Sequence, residues 1–266
     1  VSRRSPEVLL SEVPAYAGAR LSPFGGGSAN ALYRIDPSEP RALLRVHGAG
    51  ARMDTDRAAE RLAWQGAARA GLTPELLYWD PTHRFSIVEL WGSRAEVLAP
   101  VQAAELLARF HQLPIAPARL DYAGGLGPQG AALQQQLLAS RLRPGMTHHD
   151  PSRGNWLSGS HQGQQRLRLI DFEYAGFGHP LWDLACLMLE WPDMASAAPA
   201  YYRAVGVDVD AREQAALHAA GQLYLLTCLS WCRQALAKGG DPAQLTPWAD
   251  RYRQLLAQGL ASRLPL

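Results

Sequence analysis

His148-His149-Asp150-Pro151-Ser152-Arg153-Gly154-Asn155, and then Leu169-Ile170-Asp171-Phe172-Glu173, are the stretches whose reading decides the fold. Asp171 comes sixteen residues after Asn155. The pattern is H-x-D-x-x-x-x-N, an apolar strand, and D-F-E. Asp150 and Asn155 share one short loop, and Pro151 and Gly154 supply turn chemistry between them, so both side chains can be aimed the same way. Asp171 closes the apolar run Leu167-Arg168-Leu169-Ile170, which reads as a strand. A carboxylate at a strand end stands on a rigid support. A lone H-x-D recurs by chance, and D-F-E can be an ordinary strand end. The two halves together, in this order and at this separation, favour a functional reading.

The residue types suit phosphoryl transfer, which asks little covalent chemistry of a protein. A base must orient the attacking hydroxyl, and oxygen-bearing side chains must hold Mg²⁺ against nucleotide phosphates. Asp150 is the candidate base, with His148 beside it in the catalytic motif. Asn155 and Asp171 are the candidate metal ligands, because a hard cation prefers oxygen donors.

Around these residues the chain resembles the aminoglycoside phosphotransferase and choline kinase superfamily. The run Leu169-Ile170-Asp171-Phe172-Glu173-Tyr174-Ala175-Gly176, continuing to Pro180-Leu181-Trp182-Asp183-Leu184-Ala185, is similar to bacterial choline-kinase-like and thiamine-kinase-like proteins. His149 stands where protein kinases carry the Arg of H-R-D; no A-P-E follows D-F-E, and helix-like sequence resumes within about a dozen residues, which leaves little room for an activation loop. Both departures point to small-molecule kinases. The resemblance implies an α+β, two-lobed, protein-kinase-like fold: a small antiparallel-sheet N-lobe over residues 1–91 and a larger helical C-lobe over 92–266. It also implies ATP and Mg²⁺ as cofactors and a small-molecule alcohol as acceptor.

Composition sets the outer bounds. The chain has 266 residues, 47% of them hydrophobic, enough for one large or two small domains with a substantial core. A net charge of +2 gives no footprint for nucleic acid. No run approaches the roughly 18 consecutive apolar residues of a membrane span, and Val1-Ser2-Arg3-Arg4-Ser5 lacks the apolar segment of a signal peptide. Cys186, Cys228 and Cys232 form an odd, sparse set that fits a reducing cytoplasm better than a disulfide framework. Cys228 and Cys232 lie one helical turn apart and read as small apolar residues on one helix face. Lys238 is the only lysine. It lies far downstream of the catalytic loop, so no lysine can serve on an early strand.

Upstream, residues 21–47 read as β structure. Gly25-Gly26-Gly27-Ser28-Ala29-Asn30 leads into the strand Ala31–Ile35, and a turn precedes the strand Ala42–Val46. The glycines permit close backbone approach to an anion, and Ser28 and Asn30 add donors. This is no Walker A loop, since no G-K-[ST] follows. Arg45 takes the place of the strand lysine; a guanidinium can bridge phosphate oxygens bidentately. Residues 54–70 read as a helix that stops at Gly71. Its Glu60 has two readings, partner of Arg45 or an exposed carboxylate paired with Arg57 or Arg61. Leu76–Trp79 and Phe85–Leu90 read as a hairpin leading to a hinge, where Glu89, Leu90 and Trp91 would meet the adenine edge.

Further helices are expected over 101–112, 131–142, 211–237 and 247–264. His111, near the end of the first, reads as a packed, hydrogen-bonded residue. The C-terminal part is rich in aromatics and poorer in acids. An aminoglycoside wants several carboxylates, choline an aromatic cage, and thiamine a stacking surface. The balance leans to a single-cation or aromatic alcohol, with an antibiotic kinase and a catalytically silent relative as alternatives. Trp231, Trp182, Tyr224 and Glu173 are the candidate acceptor residues. Asp183 is expected to brace the catalytic loop.

Overall fold

The structure, a computed structural model, describes residues 4–25, 30–48, 56–114, 121–161 and 163–266. The chain forms two compact units. One comprises residues 1–94 and 157–173, the other 95–156 and 174–266. A boundary at residues 91–92 leaves the D-F-E strand with the later part of the chain. Contacts put it with the first unit instead, because the Leu169 N–H donates to the Leu72 carbonyl at 2.9 Å and Phe172 packs edge-on against Trp64.

The first unit opens with α1 (Pro6–Ser11), then β1 (Arg20–Phe24), β2 (Asn30–Asp36), β3 (Ala42–His47), α2 (Arg57–Arg69), β4 (Leu76–Trp79), β5 (Phe85–Glu89) and the short β6 (Ser93–Arg94). The first five strands make one antiparallel sheet in the order β1-β2-β3-β5-β4. One face buries Ile35, Ala42, Leu44, Phe85 and Ile87 with Leu9, Leu10 and Val13 from the N-terminal segment. Strand alternation puts Arg45 on the opposite face from Leu44. Helix α2 starts at Asp56, whose carboxylate accepts from the Ala58 and Ala59 N–H groups at 3.0 Å.

The hairpin of β8 (Trp156–His161) and β9 (Gln164–Leu169) carries Asp171 to this unit. Two contacts seat it. Arg168 forms an ion pair with Glu89 at 2.8 Å and lies over the Trp91 ring at 4.3 Å. Gly92 and Gly159 allow the close crossing: a Cβ at Gly92 would sit 2.5 Å from the Ser158 carbonyl oxygen.

The second unit is largely helical: α3 (Pro100–His111), α4 (Gly127–Leu138), α5 (Pro180–Glu190), α6 (Ala197–Val205), α7 (Ala211–Ala237) and α8 (Pro242–Gln258). Two short strands, β7 (Gly145–Thr147) and β10 (Gly176–Gly178), pair antiparallel next to the loop over 148–155. The expected α+β class is the one found. Helix α4 begins earlier than its apolar pattern suggests, because Pro128 at the first turn supplies a ready-made helical φ. Helix α8 starts at Pro242 under an Asp241 cap rather than at Pro247, which lies inside it. Both prolines fit a helix start; the capped one prevails.

Phe85 is wholly buried in the sheet core. Phe85→Ala should destabilise the first unit by about 3–5 kcal/mol. Urea unfolding followed by intrinsic fluorescence checks this, and a loss below 1 kcal/mol would mean the sheet face is not the core described.

Candidate active site

Asp150 and Asn155 meet in the second unit. The Asn155 side-chain N–H donates to both the Asp150 carbonyl and its carboxylate, each at 2.9 Å. The Asn155 amide nitrogen is thereby committed, which leaves its oxygen as the atom able to accept or to bind a cation. Trp156, fully buried, donates its indole N–H to the Pro151 carbonyl at 2.9 Å and pins the far end of the turn.

The near end is held by Asp183 on α5. Its carboxylate, wholly buried, accepts the His148 N–H at 2.7 Å and the His149 N–H at 2.8 Å. His111 at the end of α3 bonds the same group at 2.9 Å and reaches Tyr201 on its other nitrogen at 2.7 Å. Burial alone would raise the Asp183 pKa, but its hydrogen bond and electrostatic interaction with His111 outweigh it and keep the carboxyl below its ordinary value. The expected brace is therefore built from main-chain donors.

The structure encloses His148. It is fully buried, its Nδ1 accepts the Asp150 N–H at 3.3 Å, and its ring packs on Phe110. In this position its ring supports the loop beside Asp150.

In the first unit the strand cation is in place. Arg45 on β3, 5% exposed, donates to Glu60 of α2 at 2.5 Å and to Asp171 at 2.9 Å. Glu60 also accepts from Arg57 at 2.5 Å, so it is a buried partner of Arg45 and Arg57 together rather than an exposed carboxylate. Burial pushes the Glu60 pKa up, and the Arg45 and Arg57 charges more than reverse this. Asp171 adopts φ +67°, a left-handed backbone unusual outside glycine. Glu173, expected at the acceptor, sits near this group instead. Burial, then the Asp171 charge, push its carboxyl up to about 7.

Gly26, Gly27 and Ser28 lie outside the described residues. Gly25 is exposed, and the Asn30 oxygen accepts from the Gly48 N–H at 3.4 Å and from Arg57 at 3.5 Å. At the hinge, the Glu89 and Leu90 N–H groups are spent on the Glu75 and Arg41 carbonyls at 2.9 and 2.7 Å. Among the described residues only the Trp91 N–H of these three is left to meet a ligand, in a stretch that lines a cavity of about 370 Å³.

Two of the aromatic acceptor candidates are buried. Trp182 is 3% exposed, donates its indole N–H to the His149 carbonyl at 3.0 Å and stacks on Tyr122 at 4.6 Å. Its polar atom and one face are committed to the loop. Tyr224, 4% exposed, spends its hydroxyl on Glu190 at 2.9 Å and packs edge-on against Trp182 and Tyr252. Trp231 is different: it is half-buried on α7, 6.1 Å from the 41%-exposed Trp248 of α8. Glu190 and Arg251, missed in the sequence, form a partly buried ion pair at 2.7 Å. Burial, and to a lesser degree the charges of Asp150 and Glu190, raise the thiols of Cys186 and Cys228.

Among the described residues no cluster of three or more His, Cys, Asp or Glu could hold a metal alone, and no helix is long and apolar enough to cross a membrane. Mg²⁺ in phosphoryl-transfer sites usually takes one or two side-chain oxygens plus phosphates and water. Asp171 and Asn155 match that donor chemistry, since one carboxylate oxygen of Asp171 and the amide oxygen of Asn155 lie outside the hydrogen bonds just described.

A family model described as "phosphotransferase enzyme family" matches residues 118–218, a segment that contains Asp150, Asn155 and Asp171. Among curated proteins none matches the sequence significantly. The fold matches a choline/ethanolamine kinase family protein from Mesorhizobium loti, with 24% identity, TM-score 0.73, and coverage of 94% of this chain and 92% of that one. A choline kinase from Streptococcus pneumoniae gives 17% identity, TM-score 0.72, and coverage of 96% and 98%. The GDP complex of an aminoglycoside 2′-phosphotransferase gives 16%, 0.63, and 96% and 97%. The superfamily resemblance carried by the motifs and the kinase-like fold class agree with these matches.

Three histidines set a pH dependence. Burial lowers His47, His149 and His179 from 6.5 to about 4. The unfolded chain therefore binds more protons than the folded one between those values, and stability falls as pH drops through that window. Glu173 acts the other way, taking up a proton on folding between pH 4.5 and about 7. Three groups outweigh one, so Tm should drop by at least about 5 °C between pH 7 and pH 5. A flat Tm over that range in calorimetry would contradict the buried neutral histidines.

Proposed function

We propose that this protein is an ATP- and Mg²⁺-dependent kinase that moves the γ-phosphoryl group to the hydroxyl of a small molecule carrying a single cation, choline-like or thiamine-like. The observation that carries the reading is the Arg45 contact set. A chance H-x-D would not come with a buried strand cation joined to both a helix carboxylate and the Asp of D-F-E. The matches to phosphotransferases support the same class.

In this reading Asp150 accepts the hydroxyl hydrogen and aims the oxygen at the phosphorus. The transition state is loose, so orientation matters more than proton removal. Asn155 and Asp171 hold Mg²⁺, which neutralises phosphate charge when bound. Arg45 steadies the phosphates with Glu60 behind it. The Trp91 N–H and the hinge backbone receive the adenine. The expected division into an N-lobe over 1–91 and a C-lobe over 92–266 becomes, in this reading, nucleotide-binding and acceptor-binding parts, with 157–173 serving the former.

The acceptor follows from charge. Two buried acids of this unit are already matched: Arg251 pairs with Glu190, and Asp183 is taken up by the loop N–H groups and His111. A polyammonium sugar needs several unmatched carboxylates, whereas one quaternary or aromatic cation needs an aromatic face. Trp231 and Trp248 offer such faces. The aminoglycoside alternative is retained by fold similarity alone. The silent-relative alternative is disfavoured by the intact Asp150, Asn155 and Asp171. A cytoplasmic location fits three cysteines that remain free thiols.

ADP release should be measured with choline, ethanolamine, thiamine and kanamycin. Preference for kanamycin would overturn the acceptor class. Asp150→Ala should lower turnover by at least about 100-fold while leaving MgATP affinity within twofold by calorimetry; near-normal turnover would remove Asp150 from its role. Trp231→Ala should raise the acceptor KM by about 3- to 30-fold and leave the ATP KM unchanged. An unchanged acceptor KM would move the binding face elsewhere.

A further inference from the structure

His149 occupies the middle of H-x-D with φ +67°, a conformation that costs any residue with a Cβ. All of its polar groups are engaged. The N–H goes to Asp183, the carbonyl accepts from Trp182, and Nδ1 lies 2.8 Å from the Tyr174 carbonyl oxygen. A carbonyl can only accept, so Nδ1 carries the proton, and the ring stays neutral because burial holds its pKa at about 4. Nε2 is then a bare acceptor. The atom facing it is the Tyr122 hydroxyl, at 3.0 Å.

The polarity of the Tyr122 hydroxyl is fixed from its other side. Its oxygen accepts the His179 N–H at 2.6 Å, and burial raises its pKa and keeps the proton on. The chain of donors runs from the His179 N–H to Tyr122, from Tyr122 to His149 Nε2, and from His149 Nδ1 to Tyr174. Room for it exists only because residue 178 is glycine: a Cβ there would lie 2.2 Å from the Tyr122 oxygen and 2.3 Å from His149 Nε2. Tyr122 also stacks on Trp182, which holds the His149 carbonyl.

We propose that Tyr122 is a positioning residue for Asp150, its O–H holding His149 in the left-handed turn that delivers the next residue to the acceptor. The inference rests on the reading of Asp150 as the base. It assigns to an uncharged tyrosine–histidine pair the task of fixing the loop, at the position where protein kinases use an arginine.

The test is a double-mutant cycle over Tyr122→Phe and His149→Gly, because glycine adopts positive φ freely and has no ring to hold. ADP release is measured with choline as acceptor and with water as acceptor, alongside the ATP KM. Tyr122→Phe should lower kcat by about 10- to 100-fold and leave the ATP KM within twofold. In the His149→Gly background the same change should cost less than about twofold. Gly178→Ala, whose Cβ would meet both the Tyr122 oxygen and His149 Nε2 and so forces the pair apart, should repeat the loss in the wild-type chain. Equal losses in both backgrounds, or wild-type turnover in Tyr122→Phe, would overturn the proposal.

Ring ¹⁵N shifts of His149 give a readout independent of turnover. A protonated Nδ1 and a bare Nε2 whose shift moves in Tyr122→Phe are expected, and the opposite tautomer would overturn the proposal. Should Asp150→Ala keep its turnover, the functional reading fails while the ring shifts still decide the tyrosine–histidine contact.

Discussion

The buried carboxylate of Asp183 is the constraint on which the rest of the catalytic segment depends. A buried charge without partners would be very costly. This one is given three donors, two of them consecutive main-chain N–H groups of the loop it holds. Because the donors are backbone, they fix the path of the chain rather than one rotamer. Helix α3 joins through His111, helix α5 supplies the carboxylate, and β7 and β10 flank the turn. Asp150 and Asn155 are then joined by the Asn155 side-chain N–H.

The first unit solves a different electrostatic problem. Glu60, Asp171 and Glu173 are three carboxylates set against two guanidiniums, Arg45 and Arg57. The two acids that touch a guanidinium are satisfied. Glu173, with no such contact, bears the surplus negative field and the burial, and its carboxyl rises to about 7. The sheet makes the arrangement possible by burying Leu44 on one face and presenting Arg45 on the other. Trp64 of α2 supports both Phe172 and Arg45, so one helix supplies the acid and the packing surface together.

The aromatic residues divide by the fate of their polar atoms. Trp156, Trp182 and Tyr224 each spend an N–H or O–H on a protein acceptor within the second unit, and each is nearly or wholly buried. They stiffen the frame around the loop. Trp231 and Trp248 keep exposed surface, which a ligand face requires. An aromatic-rich segment thus contains more scaffold than binding surface, and composition cannot separate the two.

By itself the sequence pointed to phosphotransferase chemistry and to the class of the fold. H-x-D-x-x-x-x-N and D-F-E carry their meaning in spacing, and Arg45 stands out as a charged residue inside an apolar strand. Periodicity located the sheet and most helices, with errors where two prolines each offered a helix start. Tertiary structure alone decided which groups are reachable. His148 and Trp182 stand in or beside the motifs, yet packing of α3 and α5 around the loop buries them both. The tie of 157–173 to the first unit, the Glu190–Arg251 pair and the contact of Tyr122 with His149 join residues far apart in the chain. No local pattern records them, because burial and hydrogen-bond partners are set by what the fold brings alongside, not by sequence neighbours.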